Sequence, residues 1–271
     1  KNELVRDLFV DSDDVIWCGT AWGVSRFDPK SIIEFGSRDG IVRDDGRETG
    51  VLALERQTDG SCWVGTDFGP VFRTDGDNLR LVPGISRGRY VRQVHRGLEA
   101  SLWFGTDTGI SKYDGARLLP MLDRNWVIGL SSDNEGNLWY GQGWNGGGAS
   151  RYNPKTGEET VFTKAQGLPD EHVWAVERAP DGGVWIGTGA GLARFYAGKI
   201  EDCRNQLGIP TGAVFNLRQD SEGTLWIGSH QGLHRLKGTE RVSITSSNGL
   251  PDQHVWSSAR TRDGIIWMGT D

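Results

Sequence analysis

The sequence predicts an all-β fold of repeated four-stranded antiparallel sheets, and three observations predict it. First, a valine is followed twelve residues later by tryptophan at seven places: Val5 and Trp17, Val51 and Trp63, Val91 and Trp103, Val127 and Trp139, Val173 and Trp185, Val214 and Trp226, Val255 and Trp267. Second, successive valines stand 46, 40, 36, 46, 41 and 41 residues apart, the period of a propeller blade. Third, 40 glycines and 12 tryptophans in 271 residues suit short strands joined by tight turns, since glycine alone takes positive φ without steric cost. Glycine-rich punctuation between the apolar runs argues against helices.

Each repeat reads as four strands in order. The valine opens the first, innermost strand. A hairpin follows, written "TDGSCW", "NEGNLW", "PDGGVW", "SEGTLW" or "RDGIIW". There glycine supplies the left-handed residue and the acid bonds the local backbone. The tryptophan sits in the second strand and is expected to fill the space between blades. Trp63, Trp103, Trp139, Trp185 and Trp226 are therefore expected to pack and to bind nothing. A Gly-Thr step and a second turn lead to a third strand, as in "WFGTDTGISKY". That strand carries Arg26, Arg73, Lys112, Arg151, Arg194 or Arg235, whose regularity predicts a repeated ion pair or a solvated rim. A weaker fourth strand contains "IIEF" or "ETVF". The turn acids Asp133, Glu135, Asp220 and Glu222 lie in turns too short to gather the six or more oxygens of a calcium loop.

The near-identical stretches "GLPDEHVWAV" at 167–176 and "GLPDQHVWSS" at 249–258 lead into the fifth and seventh units, with a degenerate copy, "LGIPTGAV", before the sixth. The duplication is architectural. The seventh unit reaches only "WMGTD", so the expectation is a seven-bladed β-propeller with an incomplete last blade. It forms a single domain over 1–271 in a chain expected to continue in a longer protein.

The net charge of −6 comes from interspersed residues, and no basic patch argues for nucleic acid. No apolar run is long enough for a membrane span. Cys18, Cys62 and Cys203 follow no metal-ligand spacing, and Cys18 and Cys62 read as small buried hydrophobes. No phosphate loop, nucleophile elbow or paired-carboxylate motif stands out, so no cofactor, metal or catalytic residue is assigned.

The repeat V-x-x-I-x-x-D-x-x-G-x-L-W-I-G-T-x-x-G-L-x-R resembles the two-component regulator propeller repeat, and "VFNLRQDSEGTLWIGSHQGLHRL" at 214–236 matches it almost throughout. The resemblance implies the extracytoplasmic, periplasmic sensor region of bacterial hybrid two-component regulators, a binding segment whose output lies in adjacent signalling domains. The expected ligand is a small polar molecule such as an oligosaccharide, with no membrane contact by this segment. Binding would change packing on a partner domain or on a second subunit in a homodimer.

Two sets of loops should gather on one face. Loops leading into the innermost strands place Tyr90, Trp126, His172 and His254 just before the repeat valine, and Arg6, Arg92, Trp174, Phe215 and Trp256 just after it. Loops between second and third strands contribute Trp22, Phe68, Trp144, Asn145 and His230. From these, Trp22, Phe68, Arg92, Trp126, Trp144, Asn145, His172, Trp174, His230, His254 and Trp256 are the candidate ligand-binding residues. In "WYGQGWNGGGASRY" the Trp-to-basic spacing is twelve where four other repeats have nine. The extra loop offers an indole beside an amide, suited to stacking and hydrogen-bonding a sugar. Two alternatives remain. One is a protein-interaction scaffold, marked by a broad apolar patch. The other is a lyase resembling the propeller lyases that inactivate streptogramins, which requires His172, His230 and His254 to converge.

Overall fold

A computed structural model of the chain describes residues 4–11, 13–28, 31–43, 45–84, 89–204, 212–220 and 222–270. Residues 207–211 of the degenerate lead-in to the sixth repeat, and residues 1–3 and 271 at the ends, lie outside the described residues. The fold is an all-β propeller of six four-stranded antiparallel sheets and one two-stranded sheet.

Blade one is Val5–Val10, Ile16–Thr20, Gly23–Asp28 and Ser31–Phe35. Blade two is Val51–Arg56, Cys62–Thr66, Val71–Asp75 and Asn78–Val82. Blade three is Val91–Arg96, Leu102–Thr106, Gly109–Tyr113 and Leu118–Asp123. Blade four is Val127–Ser132, Leu138–Gln142, Ala149–Tyr152 and Glu159–Phe162. Blade five is Val173–Arg178, Val184–Thr188, Gly191–Tyr196 and Lys199–Asp202. Blade six is Val214–Gln219, Leu225–Ser229, Gly232–Lys237 and Glu240–Ile244. The two-stranded sheet is Val255–Arg260 and Ile266–Thr270. Every repeat valine is the first residue of its innermost strand. Among the described residues no helix is long and apolar enough to cross a membrane. The chain divides into two compact units: unit one is Lys1–Asn125 with Ser257–Gly269, and unit two is Trp126–Trp256.

Within each unit the repeat has a packing logic. The glycine of the Gly-Thr step lies against the valine that opens another sheet, leaving no room for a side chain. In unit one, a Cβ on Gly19 would stand 2.8 Å from Val51, on Gly65 2.7 Å from Val91, and on Gly269 2.7 Å from Val5. In unit two, a Cβ on Gly141 would stand 2.4 Å from Val173, and on Gly187 2.8 Å from Val214. Such contacts carry the close packing of propeller sheets.

The tryptophans face a cation directly. The cross-strand partner of Trp17 is Arg26, of Trp63 Arg73, of Trp103 Lys112, of Trp139 Arg151, of Trp185 Arg194 and of Trp226 Arg235. The cation lies over the ring at 5.7 Å for Trp17 and Trp63, 5.1 Å for Trp103 and 4.8 Å for Trp185. The same cations pair with acids: Arg26 with Asp77 at 3.0 Å, Arg73 with Asp59 at 2.5 Å, Arg151 with Asp133 at 3.0 Å, and Arg194 with Asp181. Arg26, Arg73 and Arg194 therefore each cover an indole with one face while an edge meets an acid.

Trp17, Trp63, Trp103, Trp139 and Trp185 are buried and Trp226 is half-buried. Trp267 departs from the expectation that the repeat tryptophan fills an inter-blade space, being 43% exposed. It stands in the two-stranded sheet, where no described third strand supplies a covering cation. Cys18, read as a small buried hydrophobe, is half-buried; Cys62 and Cys203 are buried. Burial pushes the thiols up, to about 11 for Cys18 and Cys203.

The turn acids act as hairpin residues. Asp133 accepts from the backbone N–H of Glu135 at 3.0 Å and of Asn137 at 2.9 Å, and from the Trp139 indole at 3.0 Å. Asp220 repeats this, accepting from the backbone of Glu222 and Thr224 and from the Trp226 indole at 3.1 Å. One carboxylate thus shapes a turn and satisfies the buried donor of the next strand.

Candidate functional site

In all six four-stranded blades the pairing of first and second strands slips by one residue directly after the repeat valine. The extra residues are Arg6, Leu52 and Arg92 in unit one and Ile128, Trp174 and Phe215 in unit two. A β-bulge leaves its residue outside the ladder and re-aims the side chain, which is why bulges gather beside binding sites. Arginines dominate this position in unit one and apolar or aromatic residues in unit two.

In unit two the re-aimed aromatics meet. Trp144 packs edge-on to Trp174 with ring centres 5.1 Å apart, and Trp174 lies 6.2 Å from Phe215. Phe215 lies 4.5 Å from Trp256, whose ring is stacked 6.2 Å from the His254 imidazole. Trp144 is 57% exposed and Asn145 beside it is exposed, while Trp174, Phe215 and Trp256 are half-buried. The blade-four loop approaches Trp174 because residue 143 is glycine: a Cβ there would stand 2.7 Å from the Trp174 ring. Exposed aromatic faces beside an amide can stack on a sugar ring and bond its hydroxyls.

Two histidines of this unit are held by carboxylates. His172 Nδ1 lies 2.6 Å from Asp170, and His254 Nδ1 lies 3.2 Å from Asp252. Burial pushes the Asp170 carboxyl up, but hydrogen bonds from the His172 backbone and from Lys164 outweigh it and hold the group near 2. A carboxylate on Nδ1 fixes the ring's orientation and tautomer. A Cβ on Gly146, in the same blade-four loop, would come within 3.5 Å of the His172 ring. His230 is half-buried beside Gln231 at 3.3 Å, and Trp126 is half-buried with φ 54°. Among the described residues no three His, Cys, Asp or Glu side chains gather in a group that could hold a metal.

Unit one has a different chemistry. Phe68, held at φ 57°, packs on Tyr90 with ring centres 4.1 Å apart. Arg43 lies over Phe68 at 4.6 Å and Arg92 over Tyr90 at 4.9 Å, giving a cation–ring–ring–cation stack. Arg6 pairs with Asp67 at 3.2 Å and Arg89 with Asp107 at 3.7 Å. Burial pushes the Tyr90 phenol up, helped by Asp67, and pulls the Arg92 guanidinium down. Trp22, also in this unit, is 52% exposed. A cleft of about 270 Å³ is lined by Arg43 with Asp39, Val42, Pro70, Phe72 and Leu81, and by none of the candidate residues read from the sequence.

The structure therefore brings together Trp144, Trp174, Trp256 and His254 in one unit, and Phe68 and Arg92 in the other. Sequence reasoning set Phe215 and Arg6 on the rim without assigning them a ligand role. It passed over Arg43, Asp67 and Asp107. The two acids had a signal, since both follow a Gly-Thr step in "GTDFG" and "GTDTG". Arg43 had none, because it stands in a loop outside the repeat.

The family model for the two component regulator propeller matches residues 167–190, 208–231 and 249–271. These stretches are two-component regulator propeller repeats, in register with the Val–Trp spacing of the whole chain. No curated protein sequence matches the chain. Among solved structures, the chain is similar to the extracellular domain of a protein described as a hybrid two component system from B. thetaiotaomicron. The TM-score is 0.83 at 19% identity, covering 99% of this chain and 38% of that one. A second B. thetaiotaomicron extracellular domain, described as that of a one component system, gives a TM-score of 0.77 at 20% identity, covering 99% of this chain and 37% of that one. A catalytically inactive virginiamycin B lyase from Staphylococcus aureus, solved with quinupristin, gives 0.67 at 18% identity, covering 83% of this chain and 77% of that one. At these identities the likeness is one of fold. The chain spans well under half the length of the two B. thetaiotaomicron extracellular domains.

Proposed function

We propose that this chain, built of two-component regulator propeller repeats, is a ligand-binding sensor propeller of an extracytoplasmic bacterial signalling protein. In this reading the two-stranded sheet belongs to a seventh blade of one propeller domain. The segment binds and does not catalyse; adjacent signalling domains or a second subunit carry the output. The ligand class is a small oligosaccharide, recognised on Trp144, Trp174, Phe215 and Trp256, with Asn145, His172 and His254 bonding hydroxyls.

One observation carries the proposal. Consecutive repeats place aromatic residues at the same re-aimed position, and the repeat with the longest loop adds a 57%-exposed indole at the end of that run. Packing alone does not ask for an exposed tryptophan there, and stacking on a sugar does. The likeness to extracellular domains supports the compartment, and that to lyases supports only the fold. The test is calorimetric titration of the chain with a panel of neutral oligosaccharides. A saturable binder that Trp144→Ala weakens by roughly tenfold or more is expected. A binder indifferent to both Trp144→Ala and Trp174→Ala would sink the assignment.

A further inference from the structure

We propose that unit one carries a second recognition site, for a carboxylate borne on a hydroxylated ring, built on the Arg43–Phe68–Tyr90–Arg92 stack with Asp67 and Asp107. The site is built from residues of unit one alone and takes a ligand of different charge from the one proposed for unit two. A guanidinium stacked on a ring has its faces covered, but its N–H bonds lie in the plane and point outward from the edge. Arg43 Nε is buried without a hydrogen-bond partner.

The acids have unspent capacity too. Asp67 uses Oδ2 on Arg6 and Asp107 turns Oδ2 toward Arg89, while Oδ1 of each is buried with no partner. Buried polar atoms left in this state in one place call for a water or a ligand. The two kinds of orphan ask for opposite groups: the guanidinium edge needs an acceptor, and the carboxylate oxygens need donors. A simple anion answers only the first; a neutral sugar's hydroxyls can donate to the carboxylates but meet the guanidinium only as neutral acceptors, roughly half as strong as a charged one. A hydroxyl-bearing carboxylate answers both, with a charge-assisted bond at the guanidinium edge. Charge agrees, because Arg6, Arg43, Arg89 and Arg92 outnumber Asp67 and Asp107 in a chain whose net charge is −6.

The experiment is titration of the whole chain with D-glucuronate and D-galacturonate at fixed ionic strength, with D-glucose and acetate as controls. At least one uronate should bind saturably, with glucose and acetate weaker by roughly tenfold or more. Arg43→Gln and Asp67→Asn should each weaken uronate binding by roughly tenfold, with the melting temperature checked for both. Trp174→Ala should leave it unchanged, so that failure here is separable from failure of the unit-two site. No saturable binding by either uronate would overturn the proposal, as would acetate binding equally well. So would both Arg43→Gln and Asp67→Asn proteins melting like the parent and binding uronate like it.

Discussion

Replacing Asp133 by alanine removes one buried carboxylate and orphans several donors at once. Its side chain is only 8% exposed and accepts from two backbone N–H groups, from the Asn137 amide at 2.9 Å, from the Trp139 indole at 3.0 Å and from Arg151 Nε at 3.0 Å. Arg151 and Asn137 keep Glu135 as a second partner, so their loss is partial. The Trp139 indole has no such fallback, and Trp139 is fully buried. A buried donor left unsatisfied costs about 1–3 kcal/mol, and breaking a buried charged pair about 3–5 kcal/mol in all. For a chain of this size that is a melting-temperature drop of roughly 10 °C. Asp59→Ala is the control, because Asp59 is 53% exposed and its pairing with Arg73 is worth under about 1 kcal/mol. Urea unfolding followed by tryptophan fluorescence and circular dichroism reads both. If Asp133→Ala costs no more than Asp59→Ala, the view that this acid ties turn, indole and third strand together is wrong.

Three further outcomes follow from the same structure. His234 is buried between Ser229 at 3.1 Å and Ser243 at 2.8 Å, and burial, with His230 nearby, pushes its pKa down to about 4. The unfolded chain takes up that proton below about pH 6.5 and the folded chain only near 4, so stability is lost as pH falls through that window, by roughly 3 kcal/mol in total. Denaturation at several pH values should show His234→Gln flattening this slope; equal slopes would contradict it. Gly143→Ala puts a Cβ 2.4 Å from Ile128 and 2.7 Å from Trp174, so it should cost about 1–3 kcal/mol and alter the tryptophan emission. Unchanged emission would show that the ring does not rest on that backbone. Gln57→Asp should stabilise blade two by about 0.5–1.5 kcal/mol in urea. It gives the Trp63 indole, buried without a partner, the acceptor that Trp139 has, and no gain would refute the equivalence.

The scaffold was legible because it is periodic. The repeat valine marks the first residue of each inner strand, and the Trp-to-basic interval places each cation opposite its indole. Asp133 and Asp220, six residues before their tryptophans, were readable as hairpin acids, but their bond to the indole was not, since it depends on how the turn folds back. The bulge was hidden for a related reason. A one-residue slip leaves the residue pattern intact while changing where Arg92, Trp174 and Phe215 aim. Sequence could set Trp144 beside a lengthened loop, yet that it meets Trp174 follows from Gly143 letting two backbones approach. Arg43 was invisible because its loop belongs to no repeat, and Trp267 is exposed in a unit that already read as incomplete, without the third strand whose cation faces the other indoles.

The central claim is that bulge residues read the ligand while strand tryptophans hold the scaffold. Blade five tests it within one sheet: Trp174 at the bulge against Trp185 in the second strand. The measurement is oligosaccharide affinity beside unfolding free energy for Trp174→Ala and Trp185→Ala, taken at a temperature where both proteins are folded. The account predicts that Trp174→Ala weakens binding roughly tenfold or more at modest cost in stability. It predicts that Trp185→Ala loses about 3–5 kcal/mol of stability and keeps its affinity. If Trp185→Ala loses the ligand while keeping its stability, or Trp174→Ala binds as the parent does, the division of labour is wrong.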